Sequence, residues 1–175
     1  MRKLKLTLLT FMLFSITYTF GQETFKVEYG TVVYSKFFPY ESGNMVEQLK
    51  KHLVNQPEVY GLSDNGVVLI GGMDHAKVNY NKYGGKYFGT WTALNYPLSA
   101  ALAIQFKKDG YVVIVRGIKF EKKGTRPTVF DLNEYAIRDS EGTLKDNGGT
   151  ERVLSYLDQY FKELFTIPVM EVTSR

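Results

Sequence analysis

Groups able to do chemistry are sparse in this sequence. It holds two histidines, His52 and His75, no cysteine, and a scatter of carboxylates. A zinc site takes three or four ligands, and a helical one uses histidines four residues apart, a spacing these two do not have. The lack of cysteine removes disulfides, thiolate metal sites and cysteine nucleophiles together. Ser63 lies in Gly61-Leu62-Ser63-Asp64-Asn65, without the second glycine of a nucleophile elbow, and reads as part of a turn. Gly85-Lys86-Tyr87 lacks the upstream glycine and the Ser/Thr of a phosphate loop. Asp139, Glu141 and Asp146 resemble the acids of a calcium loop, but Leu144 and Thr150 stand where its sharp-turn glycine and bidentate glutamate belong. No metal or cofactor site is therefore expected. Dispersed acids such as Asp74, Glu121 and Asp131 leave one catalytic alternative, an envelope hydrolase working through paired carboxylates, because separation in sequence does not set separation in space.

Two stretches offer surface for binding instead. Tyr80, Tyr83, Tyr87, Phe88, Trp91 and Tyr96 alternate with glycines and with Asn81, Lys82 and Asn95. Flat rings flanked by hydrogen-bonding groups suit sugars or peptide side chains. The competing reading makes Tyr87 to Leu94 an ordinary strand, with Phe88 and Leu94 in the core and Tyr87 and Trp91 on its half-exposed face. The second stretch is a hairpin. Ala101 to Lys107 and Tyr111 to Val115 are β-rich and joined at Asp109-Gly110, a strong short-range turn signal. That loop predicts Phe106 opposite Val113 and Ile104 opposite Val115, with Leu102 on the same core face. Gln105, Lys107, Val112, Ile114 and Arg116 then share the opposite face, which is mixed rather than polar. Candidate binding residues are thus Tyr87, Trp91, Gln105, Val112, Ile114 and Arg116.

The elements that must position these residues follow from periodicity. Thr31 to Phe38 reads as a strand. Gly43 to Val54 reads as a helix with Met45, Leu49 and Leu53 on one stripe, capped by Ser42 or Asn44 and stopped by Pro57. Asp64-Asn65-Gly66 turns into a strand over Val67 to Ile70, Gly71-Gly72 breaks or bulges it, and Lys77 to Tyr80 continues extended. Gly117 reads as a bulge that re-aims Ile118 and Phe120. Glu121 to Gly149 reads as largely irregular, with turn signals at Lys123-Gly124 and Asn147-Gly148-Gly149. Thr150 is predicted to cap a last helix that buries Val153, Leu154, Leu157, Phe161 and Leu164.

The first residues carry a targeting pattern. Arg2, Lys3 and Lys5 precede an uncharged run from Leu6 to Phe20, with small Thr19 and Gly21 at its end. This predicts a cleaved export signal over residues 1–21, cut between Gly21 and Gln22, and one domain over residues 22–175, periplasmic or secreted. No cysteine follows the apolar run, so no lipid anchor is expected. The leader holds three of the 22 Lys and Arg and none of the 18 Asp and Glu, so the remainder carries a formal charge of +1. That near-neutral balance argues against nucleic acid as a partner.

The chain resembles a family of exported domains of unknown function, found mainly in Bacteroidetes, with a TATA-binding-protein-like (TBP-like) fold. The likeness is carried by Val32-Val33-Tyr34-Ser35-Lys36 leading to the helix with Met45 and Leu49. The run Ile104-Gln105-Phe106-Lys107-Lys108-Asp109-Gly110-Tyr111 carries the rest, and the likeness spans Thr31 to Phe120. It implies an α+β fold with a single curved antiparallel sheet and two helices on one face, without an established activity. The expectation from sequence is therefore a non-catalytic binding or assembly module of the bacterial envelope. Its partners would be an envelope protein, a glycan or a second copy, with no cofactor and no membrane span once the signal is removed. An envelope hydrolase, or a helix-grip binder of an apolar ligand, stands as the alternative.

Overall fold

The computed structural model describes residues 24–40 and 44–168. The predicted export signal and its cleavage position lie outside the described residues, as do Ser42 and Gly43.

Among the described residues, nine strands and three α-helices run in the order β1 (Phe25–Glu28), β2 (Thr31–Pro39), α1 (Met45–Val54), β3 (Val59–Asp64), β4 (Val68–Ala76), a 3-10 turn (Thr92–Asn95), β5 (Leu98–Lys107), β6 (Gly110–Lys122), β7 (Thr128–Asp131), α2 (Leu132–Ala136), β8 (Ile137–Arg138), β9 (Thr143–Leu144) and α3 (Gly148–Phe165). Seven strands form one antiparallel sheet in the order β1-β2-β6-β5-β4-β3, with β7 pairing the far end of β6; β8 and β9 form a separate two-stranded sheet. β2 pairs with Gly110–Arg116 and β7 with Lys119–Lys122, so β7 takes up the edge of β6 that β2 leaves.

This overturns the expectation of a single curved, TBP-like sheet bearing two helices. Among the described residues there are two sheets and three α-helices, and the end strands β1 and β3 of the main sheet do not pair, so the sheet stays open rather than curling. The cause lies in residues 121–149, which hold β7, α2, β8 and β9 where the sequence reads as irregular. Elements of two to five residues are too short to show a period, and tertiary contacts decide them.

The hairpin forms with a register two residues away from the predicted one. Phe106 faces Tyr111, Ile104 faces Val113 and Leu102 faces Val115, so the loop is Lys108-Asp109. A two-residue slip preserves side-chain parity, and Leu102, Ile104, Val113 and Val115 are all buried on one face. Gly110 is required here because a Cβ would sit 2.2 Å from the Phe38 carbonyl oxygen. Gly117, at φ 63°, does bulge: the β5–β6 register shifts there, which turns Ile118 and Phe120 inward.

Other elements depart from expectation. Val59–Asp64 is a strand that the sequence did not suggest. Gly71-Gly72 does not interrupt β4; the two glycines leave room for β3, whose Tyr60 ring would lie 2.5 Å from a Cβ on Gly72. The irregularity falls later, between Met73 and Ala76, where His75 takes φ 57°. β4 ends at Ala76, so Lys77 to Tyr80 adds no strand, and Tyr87 to Leu94 is a loop entering the 3-10 turn. The last helix is capped by Asn147, whose Oδ1 accepts from Gly149 N (3.1 Å) and Thr150 N (2.9 Å), while Thr150 itself is buried.

The core lies between the sheet and the two longer helices. Tyr34 on β2 packs against Phe161 of α3 with ring centroids 4.8 Å apart, and Phe38 meets Phe165 at 6.5 Å. Each large apolar side chain buried this way contributes about 1.5–3 kcal/mol. His52 on α1 lies 2.8 Å through Nε2 from the Leu164 carbonyl, tying α1 to α3. At the rim, Lys36 Nζ reaches Asp158 at 2.9 Å and Lys162 Nζ reaches the same carboxylate at 2.7 Å.

Candidate functional site

Strand parity leaves the other face of the sheet to Val33, Ser35 and Phe37 of β2, Val112, Ile114 and Arg116 of β6, Ala101, Ala103, Gln105 and Lys107 of β5, and Val68, Ile70 and Gly72 of β4. The register arranges them in rows. Phe37, Val112, Gln105 and Val68 form one; Ser35, Ile114, Ala103 and Ile70 the next; Val33, Arg116, Ala101 and Gly72 the third. Phe37, Ile70 and Tyr60 are 41%, 53% and 58% exposed, and Ser35, Val68, Ala103, Gln105, Val112 and Ile114 are half-buried. A face this apolar is uncommon on a sheet surface in water.

One end of this face is charged, with Arg116 and Ala101 exposed there. Arg116 donates to Glu28 Oε2 at 2.6 Å, and Lys26 Nζ lies 2.7 Å from Glu28 Oε1. The Lys26 ammonium first, and the Arg116 guanidinium with it, hold the Glu28 carboxyl below the usual glutamate range. Val33, the register partner of both Lys26 and Arg116, is almost fully covered while standing outside the main core cluster. Gly72 is buried beneath the Tyr60 ring. The remaining rows stay accessible.

The six candidate residues therefore fall into separate places. Gln105, Val112, Ile114 and Arg116 are neighbours on the open face. Trp91 is elsewhere: it stacks on Tyr135 at 4.2 Å and meets Phe120 edge-on at 5.3 Å, packed against the core side. Tyr87 is exposed on a loop, its ring edge-on to Phe88 at 5.5 Å. The rest of the aromatic stretch is also structural. Tyr80 donates to Asn95 Oδ1, Tyr83 donates to Glu163 Oε2 and Lys82 bridges the same carboxylate, fastening the loop to α3. Burial, then Glu163, pushes the Tyr83 phenol up to about 12. A cleft of about 210 Å³ lined by Lys77, Asn79, Asn81 and Tyr96 lies in this loop, below the ~300–1,000 Å³ usual for small-molecule sites.

Parity within β2 points to Phe37 and Ser35 once Tyr34 is inside, so those two were within reach of sequence reasoning. Ile70 and Tyr60 were not, since β4 is apolar on both sides and β3 shows no alternation.

The paired-acid alternative finds no support in the geometry. Asp131 caps α2, accepting from Asn133 N at 2.8 Å, and Asp74 accepts from His75 N at 2.8 Å. Among the described residues no hydrogen bond joins any two of Asp74, Glu121 and Asp131, and no three His, Asp or Glu gather where they could hold a metal. For an apolar-ligand binder the space beneath α3 would have to be hollow; Tyr34, Phe161 and Phe165 fill it. Among the described residues no helix is long and apolar enough to cross a membrane.

The fold is thus an open antiparallel sheet with its long helices on one face and an accessible apolar surface on the other. It is similar to the crystal structure of a DUF4468 family protein from Bacteroides ovatus, with a TM-score of 0.50 and 14% identity over 86% of this chain and 95% of that one. At that identity the likeness is one of fold. No family model matches the chain, and no curated protein matches it.

Proposed function

We propose that this protein is a non-catalytic interaction module of the bacterial cell envelope and that the open sheet face, through Phe37, Ile70, Gln105, Val112, Ile114 and Arg116, is its working surface. The observation that carries this reading is the row of accessible apolar side chains from four adjacent strands, with no helix over them among the described residues. Leaving such a surface in water costs free energy that a partner recovers. The fold likeness to a protein of the DUF4468 family supports grouping the chain with bacterial domains of that fold, and the basic, then apolar, first residues support export.

The test compares the native protein with Ile114→Asp. The variant loses envelope partners in co-purification, or its self-association, while its circular dichroism spectrum stays the same. Equal capture and equal oligomeric state for both proteins would remove the open face from consideration.

A further inference from the structure

The rows on the open face have a property that bears on what covers them. The two middle strands are β6 and β5, flanked by β2 and β4, so the seam between β6 and β5 divides each row in half. A two-fold axis lying along that seam, between two facing sheets, sets each row over its own reverse: β6 over β5 and β2 over β4. Side-chain sizes then match in the middle row. In the row Ser35, Ile114, Ala103, Ile70, the large Ile114 stands over the small Ala103 and the large Ile70 over the small Ser35, at both symmetry-related places. In the next row Phe37 faces Val68 and Val112 faces Gln105. In the third, Arg116 faces Ala101. A knob meets a gap at each position of the middle row.

Area agrees with a pair. Strands lie about 4.8 Å apart and rise about 3.3 Å per residue. Four strands and three rows therefore make a footprint of roughly 19 by 20 Å, or about 760 Å² over two copies, the size of a weak and reversible contact rather than a tight one. Arg116 and Lys26 share the one carboxylate of Glu28, so each copy brings a small positive excess at this edge, which salt screens.

Resting on the reading of the open face as the working surface, we infer that its occupant is a second copy of this chain, packed sheet to sheet about a two-fold axis along the β5–β6 seam. The pair is a reversible dimer with a sandwich-like, aligned interface.

Sedimentation velocity of the native protein from about 1 μM to about 1 mM is expected to show a monomer–dimer equilibrium. Ala103→Ile sets two large side chains against each other, and Ile114→Ala sets two small ones; each weakens the dimer about tenfold or more. The exchange made in one chain, Ala103→Ile with Ile114→Ala, restores knob over gap and recovers affinity to within about threefold. A native protein that stays monomeric throughout overturns the inference, whatever the variants do. A dimer that Ile114→Asp leaves intact overturns it as well, as does an exchange that behaves as the sum of its parts. A monomer that still loses envelope partners on Ile114→Asp retains the interaction reading and gives the face to another protein.

Discussion

The two faces of the main sheet are built from the same strands, often from adjacent residues, and have opposite fates. Tyr34 is fully buried while Ser35 beside it is half-buried, and Phe38 is inside while Phe37 is 41% exposed. The difference is the two longer helices, which carry enough apolar surface to seal one side only. What this teaches is that apolar content on a strand does not say which side is core. The neighbour that the chain itself supplies does.

The contrast breaks most directly at the sealed face. Phe161→Ala, which empties the space between α3 and Tyr34, is expected to cost about 3–5 kcal/mol in urea unfolding. Ile114→Ala, on the other side of the same sheet, costs about 1 kcal/mol or less when measured on monomer at high dilution. Equal losses would mean that both faces are core.

Trp91→Ala comes next. Its stack on Tyr135 and its edge contact with Phe120 place the loss in stability, at about 2–4 kcal/mol. Partner binding or dimerisation by the still-folded fraction should not change. A Trp91→Ala variant that is stable but fails to bind would restore the aromatic stretch as a site.

Alkali sharpens the comparison. Burial pushes the Tyr111 phenol up to about 12, and burial likewise raises Tyr34 and Tyr160. A raised folded value means that the stabilisation is complete below the unfolded value near 10 and is lost as pH climbs through about 12. The loss from Tyr111 is about 2–3 kcal/mol. Urea midpoints should fall across that window, and Tyr111→Phe, which also gives up the 2.5 Å bond to the Phe165 carbonyl, should flatten the fall while starting from a lower stability. The smallest effect is at the start of α3. Asn147→Ala removes the side chain that accepts from Gly149 and Thr150, and should cost about 1 kcal/mol with no change at the open face.

The hairpin was legible because Asp109-Gly110 and the alternation on either side are local signals, and an error of two residues in register left every side chain on the right face. Gly117 was legible for the same reason. The aromatic stretch misled, because rings spaced along a sequence look like a strand or a platform equally well. Here Tyr83 and Trp91 are held by α3 and Tyr135, groups distant in the chain. Residues 121–149 misled in the opposite sense, since β7, α2, β8 and β9 are each too short to show a period.

By itself the sequence determined a near-neutral chain after its predicted leader, the absence of thiol chemistry, two amphipathic helices and the side-chain parity of β5 and β6. These depend on composition and on neighbours along the chain. Only the tertiary structure decided that there are two sheets, that both long helices pack on the Tyr34 side, and that Ile70 and Tyr60 join Phe37 and Ile114 across the other. Those outcomes depend on contacts between residues far apart in sequence, where periodicity carries no information.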